Sequence, residues 1–592
     1  MWTSLKTVFG IDLRSLAAFR VGVAVYILVD LANRWPYLNV FYTDAGILGR
    51  AEAIAYNYVS RWSLFYISGE AWVVHVLFVC LALAALSLLV GYRTRLSIFI
   101  CWVLVVSLTN RNLFLLQGDD DLICILLFWG LFLPLSARFS VDDALREEHD
   151  HPVSARPRRR HDYVSPASVA AVLQVSYVYI FGAFLKTGVE WHEQMNAVYY
   201  ALSIEGLTTP LGDLLLKATA LHGPLTGFVW WLELLMPLCV FMPLFFSFFR
   251  SLGLALLIAM HIGFALFLNV GLFPLASIAS LMLLIPTIVW QWLDRKTDGG
   301  EWTLFYDDGC VFCRKTCLLL RSFCLPYETI VTPAQGDQEA GPILEKHNSW
   351  VVRAPSGTLL THWDALVAVL KNNPLTWPFG VLSGLLPRAI GRALYVGIGN
   401  SRGGFGAVAD AVLPFRSLAL QVPHFVSAIV TALAAFVFLW NVDQDPRSGL
   451  QLPTSAQYIA KLLRINQNWA MFAPFPVKRE GWYGFEGTLK NGLHMDLWTG
   501  KPGYPPSGDP DDLRAWNKDY RWRKYLARLH LKANARQRGN LARYWCRQEW
   551  LDANGAIQPL ASIKMTYYTR TTQPDGRPDT YTTFSLYTGK CN

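Results

Sequence analysis

Apolar residues along this chain gather into about nine segments, near residues 13–33, 71–91, 95–115, 121–137, 167–186, 224–248, 251–270, 272–292 and 423–440. Each approaches the roughly 20 residues a helix needs to cross a bilayer. The pattern predicts a polytopic α-helical membrane protein. Two stretches break it. Residues 302–306 read as a short strand followed by a turn and a helical run over 313–322. Beyond residue 441 the sequence turns aromatic and β-branched, as in Gly481-Trp482-Tyr483-Gly484-Phe485-Glu486-Gly487 and residues 564–571, with turn residues between. Four parts follow: a multi-span membrane domain over 1–292, an α/β domain over 295–410, a ninth span at 423–440, and a β-rich domain over 441–592. Residues 513–538 are helical, basic and aromatic. A membrane-surface helix and a solvated amphipathic one are both open for them.

Composition agrees with a bilayer. Hydrophobic residues make up 53% and charged ones 16%, below the roughly 25% of soluble domains. Net charge is +9, but the basic residues cluster in loops between apolar segments, which argues for membrane topology and against nucleic acid. The loops Gly91-Tyr92-Arg93-Thr94-Arg95 and 156–160 are basic, and Asp119-Asp120-Asp121 is acidic. A cytoplasmic N-terminus puts both basic loops inside and the acidic one outside. The same topology places residues 293–422 in the cytoplasm and 441–592 outside it. No cleavable signal peptide is evident. Cys546 and Cys591 are the cysteines after the ninth span, where an oxidising compartment allows them to pair.

Lys186 ends an apolar segment in Phe181-Gly182-x-x-x-Lys186, with Trp191 close behind. An ammonium at membrane depth is costly, so it snorkels to the headgroups, pairs with a carboxylate, or performs chemistry as a base. Glu233 and His261 lie inside later apolar segments and are candidate partners or catalytic groups. Glu190, His192 and Glu193 read as solvated residues at the membrane edge.

Asp307-Asp308-Gly309-Cys310-x-x-Cys313 joins a strand to a helix. Exposed amides and the helix dipole stabilise a thiolate there. With Cys310 attacking and Cys313 resolving, the pair suits thiol-disulfide exchange. Zinc needs four ligands, and Cys317, Cys324, His347 and His362 complete a site only in an unusual arrangement, so no metal is expected. Cys317 reads as a core cysteine.

Two family resemblances rest on these residues. Tyr306-Asp307-x-x-Cys310-x-x-Cys313-Arg314, Trp350-Val351-Val352-x-x-Pro355-x-Gly357, His362-x-Asp364-Ala365-Leu366, Leu394-Tyr395 and Asn400-x-Arg402 resemble the DCC family of thiol-disulfide oxidoreductases over about residues 300–405. That likeness implies a thioredoxin-like fold, with Asp307 fixing the turn beside the two cysteines. Lys186 with Trp191, Asn110-Arg111-Asn112, Arg138-Phe139-Ser140-Val141-Asp142 and Asn468-Trp469-Ala470-Met471-Phe472-Ala473-Pro474 resemble the vitamin K-dependent γ-glutamyl carboxylase superfamily and its bacterial relatives with a horizontally transferred transmembrane domain. In that superfamily the lysine is the base on reduced vitamin K. Where the carboxylase has a histidine after two asparagines, this chain has Asn110-Arg111-Asn112, and glutamate carboxylation does not carry over. The resemblances imply a bacterial inner-membrane enzyme with a dithiol domain. Its membrane domain would bind a quinone or modify an exported peptide, and a thiol protein is the other expected substrate. The alternative is a non-enzymatic maturation or immunity factor that holds an exported peptide.

Overall fold

The computed structural model describes all residues except 1, 57–60, 147–161, 298–300, 327–328, 374–375, 417–422, 509, 511, 553–554, 575–576 and 592. The basic run at 156–160 lies outside the described residues. The membrane bundle opens with α1 (Leu13–Arg34), α2 (Ala71–Val90), α3 (Thr94–Arg111) and the short α4 (Gly118–Gly130). It continues with α5 (Pro166–Leu185), α6 (His222–Phe241), α7 (Phe246–Phe267), α8 (Phe273–Leu281) and α9 (Thr287–Thr297). Seven described helices, one of them after residue 423, are long and apolar enough to cross a membrane, and up to nine if each of two bent pairs is one span. The chain is a multi-pass membrane protein.

Local sequence sets the helix ends. Ser165 caps α5 in a reciprocal box with Ser168, and Pro166 fits the first turn, where no amide partner is needed. Gly91 closes α2 at φ 68°, a left-handed conformation that costs glycine little, and its amide bonds the Leu88 carbonyl. Two apolar segments depart from the expected spans. The one at 121–137 yields only the 13-residue α4, about 20 Å at 1.5 Å per residue. The one at 272–292 bends by 86° between residues 284 and 287, where Pro286 removes a helix amide.

The acidic triplet is not an exposed loop. Asp119, Asp120 and Asp121 form the first turn of α4, where the helix dipole favours them, and Asp119 and Asp120 are buried. Asp120 accepts from Arg34 Nη2 at 2.6 Å and from Arg521 Nη1 at 2.5 Å, and Asp121 pairs with Arg464 at 2.9 Å. Arginine forks brought in from α1 and from the C-terminal region made burial of these carboxylates possible.

Residues 303–361 form a four-stranded sheet in the order β2-β1-β3-β4, with β1 (Thr303–Tyr306), β2 (Ile330–Pro333), β3 (Val351–Arg353) and β4 (Leu359–Thr361). β1 runs parallel to β2 and antiparallel to β3. Strand alternation sends Leu304 and Tyr306 into one core with Cys317 and Val352, and Phe305 into another with Ala340 and Val351. Against the sheet lie α10 (Val311–Cys324) and α11 (His362–Lys371), followed by α12 (Trp377–Leu385), α13 (Arg388–Asn400) and α14 (Arg402–Val412). The apolar helix α15 (His424–Asp443) then returns to the bundle and packs on α5.

The C-terminal region holds an antiparallel five-stranded sheet of β5 (Arg479–Leu489), β6 (His494–Asp496), β7 (Lys501–Pro502), β8 (Leu560–Thr571) and β9 (Thr580–Lys590), in the order β9-β8-β5-β6-β7. Its helices include α16 (Tyr520–Leu529) and α17 (Ala535–Cys546). The stretch read as a surface helix buries one face in the core, while residues 531–533 and 535–536 are exposed. Trp522 and Tyr525 of α16 are buried, and Trp522 packs 4.7 Å from the Phe41 ring. This region shares one hydrophobic core with the bundle, whereas the dithiol region has its own.

Helix α3 separates the two regions. At its start Asp142 accepts from the Arg93 and Thr94 amides, and Ser322 of α10 donates to the neighbouring Ser140 carbonyl at 3.3 Å. Beyond its other end, Arg521 of α16 donates to the Leu115 carbonyl at 3.0 Å. The 18 residues of α3 span about 27 Å, so the dithiol region and the C-terminal region sit at opposite ends of the bundle.

Candidate functional site

A cavity of about 580 Å³ opens among α5, α6 and α7, walled mostly by apolar side chains such as Val178, Phe228, Met260 and Phe264. Its polar groups are few. Lys186, the cap residue of α5, is only 3% exposed, and its ammonium donates to Glu233 Oε2 at 2.6 Å and to the Gly182 carbonyl at 3.3 Å. The ammonium points inward and pairs with a carboxylate, so it does not snorkel. The Trp191 ring sits 5.2 Å from Lys186 Nζ and adds a cation–π contact. His261 Nε2 and the Tyr179 hydroxyl meet at 3.0 Å on the same cavity wall.

The C-terminal region closes the cavity. Met471 and Phe472 line it, and the Phe472 carbonyl accepts from Trp191 Nε1 at 3.0 Å. Arg523 and Lys524 of α16 line it as well. Arg523 is held by the Gly206 and Asn269 carbonyls at 2.5 and 2.6 Å. Burial, with Arg523 and Arg528 nearby, pushes the Lys524 ammonium down to about 8. Of the three edge residues, Glu190 departs from the sequence reading, whereas His192 and Glu193 are exposed. Glu190 is buried and pairs with Lys478 at 2.5 Å, and His192 Nε2 donates to the Lys186 carbonyl at 2.7 Å. The Glu193 amide donates to the Val189 carbonyl at 2.9 Å.

At the other end of the bundle, Cys310 is the N-cap of α10, and its sulfur accepts from the Cys313 amide at 3.2 Å. The two sulfurs are joined in a disulfide, so the structure holds the oxidised form of the pair. Asp307 Oδ1 accepts from the Gly309 amide at 3.2 Å and from Gln335 Nε2 at 2.9 Å, which pins the turn before the cysteines. Arg402, the first residue of α14, donates to Cys313 Sγ at 3.7 Å. A guanidinium beside the sulfur favours its thiolate when the pair is reduced. Cys317 and Cys324 lie in the core behind the site, and burial pushes their thiols up to about 12 and about 11. His362 packs edge-on against His347 and Tyr395.

Residues 10–290 match the family model of the HTTM domain. The membrane bundle is therefore a domain related to the vitamin K-dependent carboxylases, and the match stops short of Cys310. No curated protein and no solved structure matches the chain.

The polar motifs divide by role. Asn110, Arg111 and Asn112 do not line the cavity. They tie loops by donating to the carbonyls of Trp62, Leu48 and Phe41. In the 138–142 motif, Ser140 caps a short helix and Asp142 caps α3. Trp469 is buried and donates to Gln467, which exchanges amide bonds with Gln174 of α5. Sequence reasoning named Lys186, Glu233 and His261 separately, and the fold gathers all three at one cavity. It missed Arg523 and Lys524, because a basic helix far beyond the end of the HTTM match carries no local sign of facing a membrane cavity. Arg402 entered only as part of a family motif, without a role.

Proposed function

We propose that this chain is a membrane-bound thiol-disulfide oxidoreductase of a bacterial inner membrane, with a thioredoxin-like domain over residues 295–410 whose redox couple is Cys310 and Cys313. The observation that carries the reading is Cys310 at the N-cap of α10 with Arg402 on the second sulfur. In the reduced pair the Cys310 thiolate attacks one sulfur of a substrate disulfide and expels the other as a thiolate. The Cys313 thiolate then attacks Cys310 in the mixed disulfide, releasing the second substrate thiolate and leaving the Cys310–Cys313 bond. Two electrons pass to the substrate, and a dithiol reductant of the same compartment restores the pair. With the N-terminus and this domain cytoplasmic, the C-terminal region is extracytoplasmic.

The HTTM cavity is the second working part, binding a lipid-soluble quinone or a segment of an exported peptide. Proton transfer from Lys186 to Glu233 within the ion pair leaves an amine, which can take a proton from an acidic group of the bound molecule. The closed pair also favours a second reading, a non-enzymatic maturation or immunity factor, because an ammonium already bonded to a carboxylate suits a holding site. A fluorescent peptide disulfide offered to full-length protein with a dithiol reductant separates the outcomes. Reduction should be lost in Cys310→Ser, and Cys313→Ser should accumulate a mixed disulfide. Full activity in both variants refutes the redox role. Lys186→Arg tests the base: an arginine keeps the charge and cannot act as a base near neutral pH, so a fully functional Lys186→Arg leaves the holding role.

A further inference from the structure

Helices α12, α13 and α14 turn their apolar faces outward. On α13, Ile390, Leu394 and Ile398 recur four residues apart on one face, and all are exposed. The opposite face is packed: Gly391 abuts the Trp363 ring, and the Tyr395 hydroxyl accepts from Ser349 at 3.1 Å. On α12, Phe379, Leu382 and Leu385 point out, Leu385 at 75% exposure, and on α14 so do Phe405, Val408 and Val412. A soluble domain buries such faces. The span α2 exposes Trp72, Val76, Val79 and Leu83 in the same way.

Helices α12 and α13 meet at 110°, and neither is long enough to cross a bilayer by itself. Their 9 and 13 residues reach only about 14 and 20 Å against a hydrocarbon core of about 30 Å. Both are also fastened to the same domain, α12 through the Ser383 carbonyl to Trp363 Nε1 and α13 through Tyr395. A chain tied to one domain at both halves has not changed sides. The end of α14 is continuous with the bundle's lipid-facing surface. The Tyr92 hydroxyl, in the turn joining spans α2 and α3, donates to the Val412 carbonyl at 2.6 Å, and the Arg416 amide donates to the Leu145 carbonyl at 3.0 Å. Arg388 and Arg392 stand exposed beside the apolar faces; Arg388 lies 3.5 Å from Asp364, and Arg392 brings charge suited to anionic headgroups.

We propose that α12–α14 lie in the plane of one lipid leaflet, rich in anionic headgroups, as an interfacial cradle that holds the dithiol site at the membrane surface. The cradle touches the site directly. Arg402 of α14 contacts Cys313, and the Phe405 ring stacks on Phe312, between the two cysteines, at 5.8 Å. Substrates therefore reach Cys310 along the leaflet. The interfacial placement stands on exposure and helix geometry, and the leaflet route to Cys310 rests on the redox reading.

The test uses full-length protein in vesicles of phosphatidylcholine and phosphatidylglycerol. An apolar diazirine dissolved in the bilayer is photolysed, and adducts are mapped by mass spectrometry. Peptides from 377–412 should label at a level comparable to those from 71–90, whereas peptides from 303–361 should stay at background. Leu385→Asp with Leu394→Asp should lose the labelling of 377–412 while that of 71–90 persists, and 377–412 should label less in phosphatidylcholine alone. Background labelling of 377–412 in the unmodified protein overturns the proposal. If those peptides are instead reached by a water-soluble diazirine, or cross-link to a second copy of the chain, the surface belongs to water or to an oligomer.

Discussion

The Lys186 ammonium donates to Glu233 Oε2 at 2.6 Å across the space between α5 and α6, and both side chains are buried. Neither group has much water to fall back on, so each depends on the other. Removing one partner of a buried pair costs about 3–5 kcal/mol, whereas replacing both by neutral groups is often close to neutral. Lys186→Met should therefore lower the thermal unfolding midpoint of purified protein sharply. Lys186→Met with Glu233→Gln should recover most of the loss. A double variant as unstable as the sum of the single ones would show that the pair is not coupled.

Thiol reactivity should split along α10. After reduction, Cys310 and Cys313 are half-buried at the helix start, while burial holds the Cys317 and Cys324 thiols up at about 12 and about 11. Iodoacetamide near neutral pH should label Cys310 and Cys313 and spare the other two, as read by peptide mass spectrometry. Arg402→Ala should slow the labelling of Cys313. Equal rates at Cys317 and Cys310 would contradict the arrangement.

Arg521 joins the C-terminal region to the bundle. Its guanidinium meets Asp120 at 2.5 Å, Asp30 at 2.8 Å and the Leu115 carbonyl at 3.0 Å, all buried. Arg521→Met leaves the buried Asp30 and Asp120 to share Arg34 alone, with excess negative charge in the interior, and should cost about 3–5 kcal/mol. Limited proteolysis should then cleave residues 479–590 faster. Arg521→Lys, a point charge in place of a fork, should fall between the two.

Cys546 and Cys591 form a disulfide that ties the end of β9 to α17 across a separation of 45 residues. Closing a loop of that size stabilises by about 2–4 kcal/mol. Cys591→Ser should lower stability by that order and speed hydrogen exchange in β9. No change in either would show that the bond is dispensable.

Lys524 gives the fold a pH signature. Its ammonium is pushed from 10.5 down to about 8 by burial, with Arg523 and Arg528 adding to the effect. A folded value below the unfolded one means that the folded state binds this proton more weakly than the unfolded chain does. The side chain therefore favours folding above about pH 10.5, and that contribution fades as pH falls and is gone below about 8. Relative to wild type, Lys524→Met should be stabilised at pH 7 by about 1–3 kcal/mol, with the gap narrowing above pH 8. Urea unfolding across that range measures it, and a gap independent of pH would refute it.

Much of this architecture was legible in the chain. Apolar runs of span length announce a membrane bundle, because a backbone in hydrocarbon must satisfy its own hydrogen bonds. A strand, an Asp-Asp-Gly turn and CxxC announce a helix-start dithiol, because these signals are local. The β-rich C-terminal sheet follows from its aromatic and β-branched composition. What the sequence misjudged were charges. Asp119 and Asp120 look like a solvated loop, and Glu190 like an edge residue, because a carboxylate's burial depends on an arginine or lysine brought from far along the chain. Only the tertiary structure decides that Lys186 faces Glu233 instead of the headgroups, that Lys524 closes a cavity formed by helices of a distant domain, and that Arg402 reaches Cys313. Local pattern fixes where helices and strands begin and end. Which side chains meet across 47, 89 or more residues is set by packing of whole elements, which no local window contains.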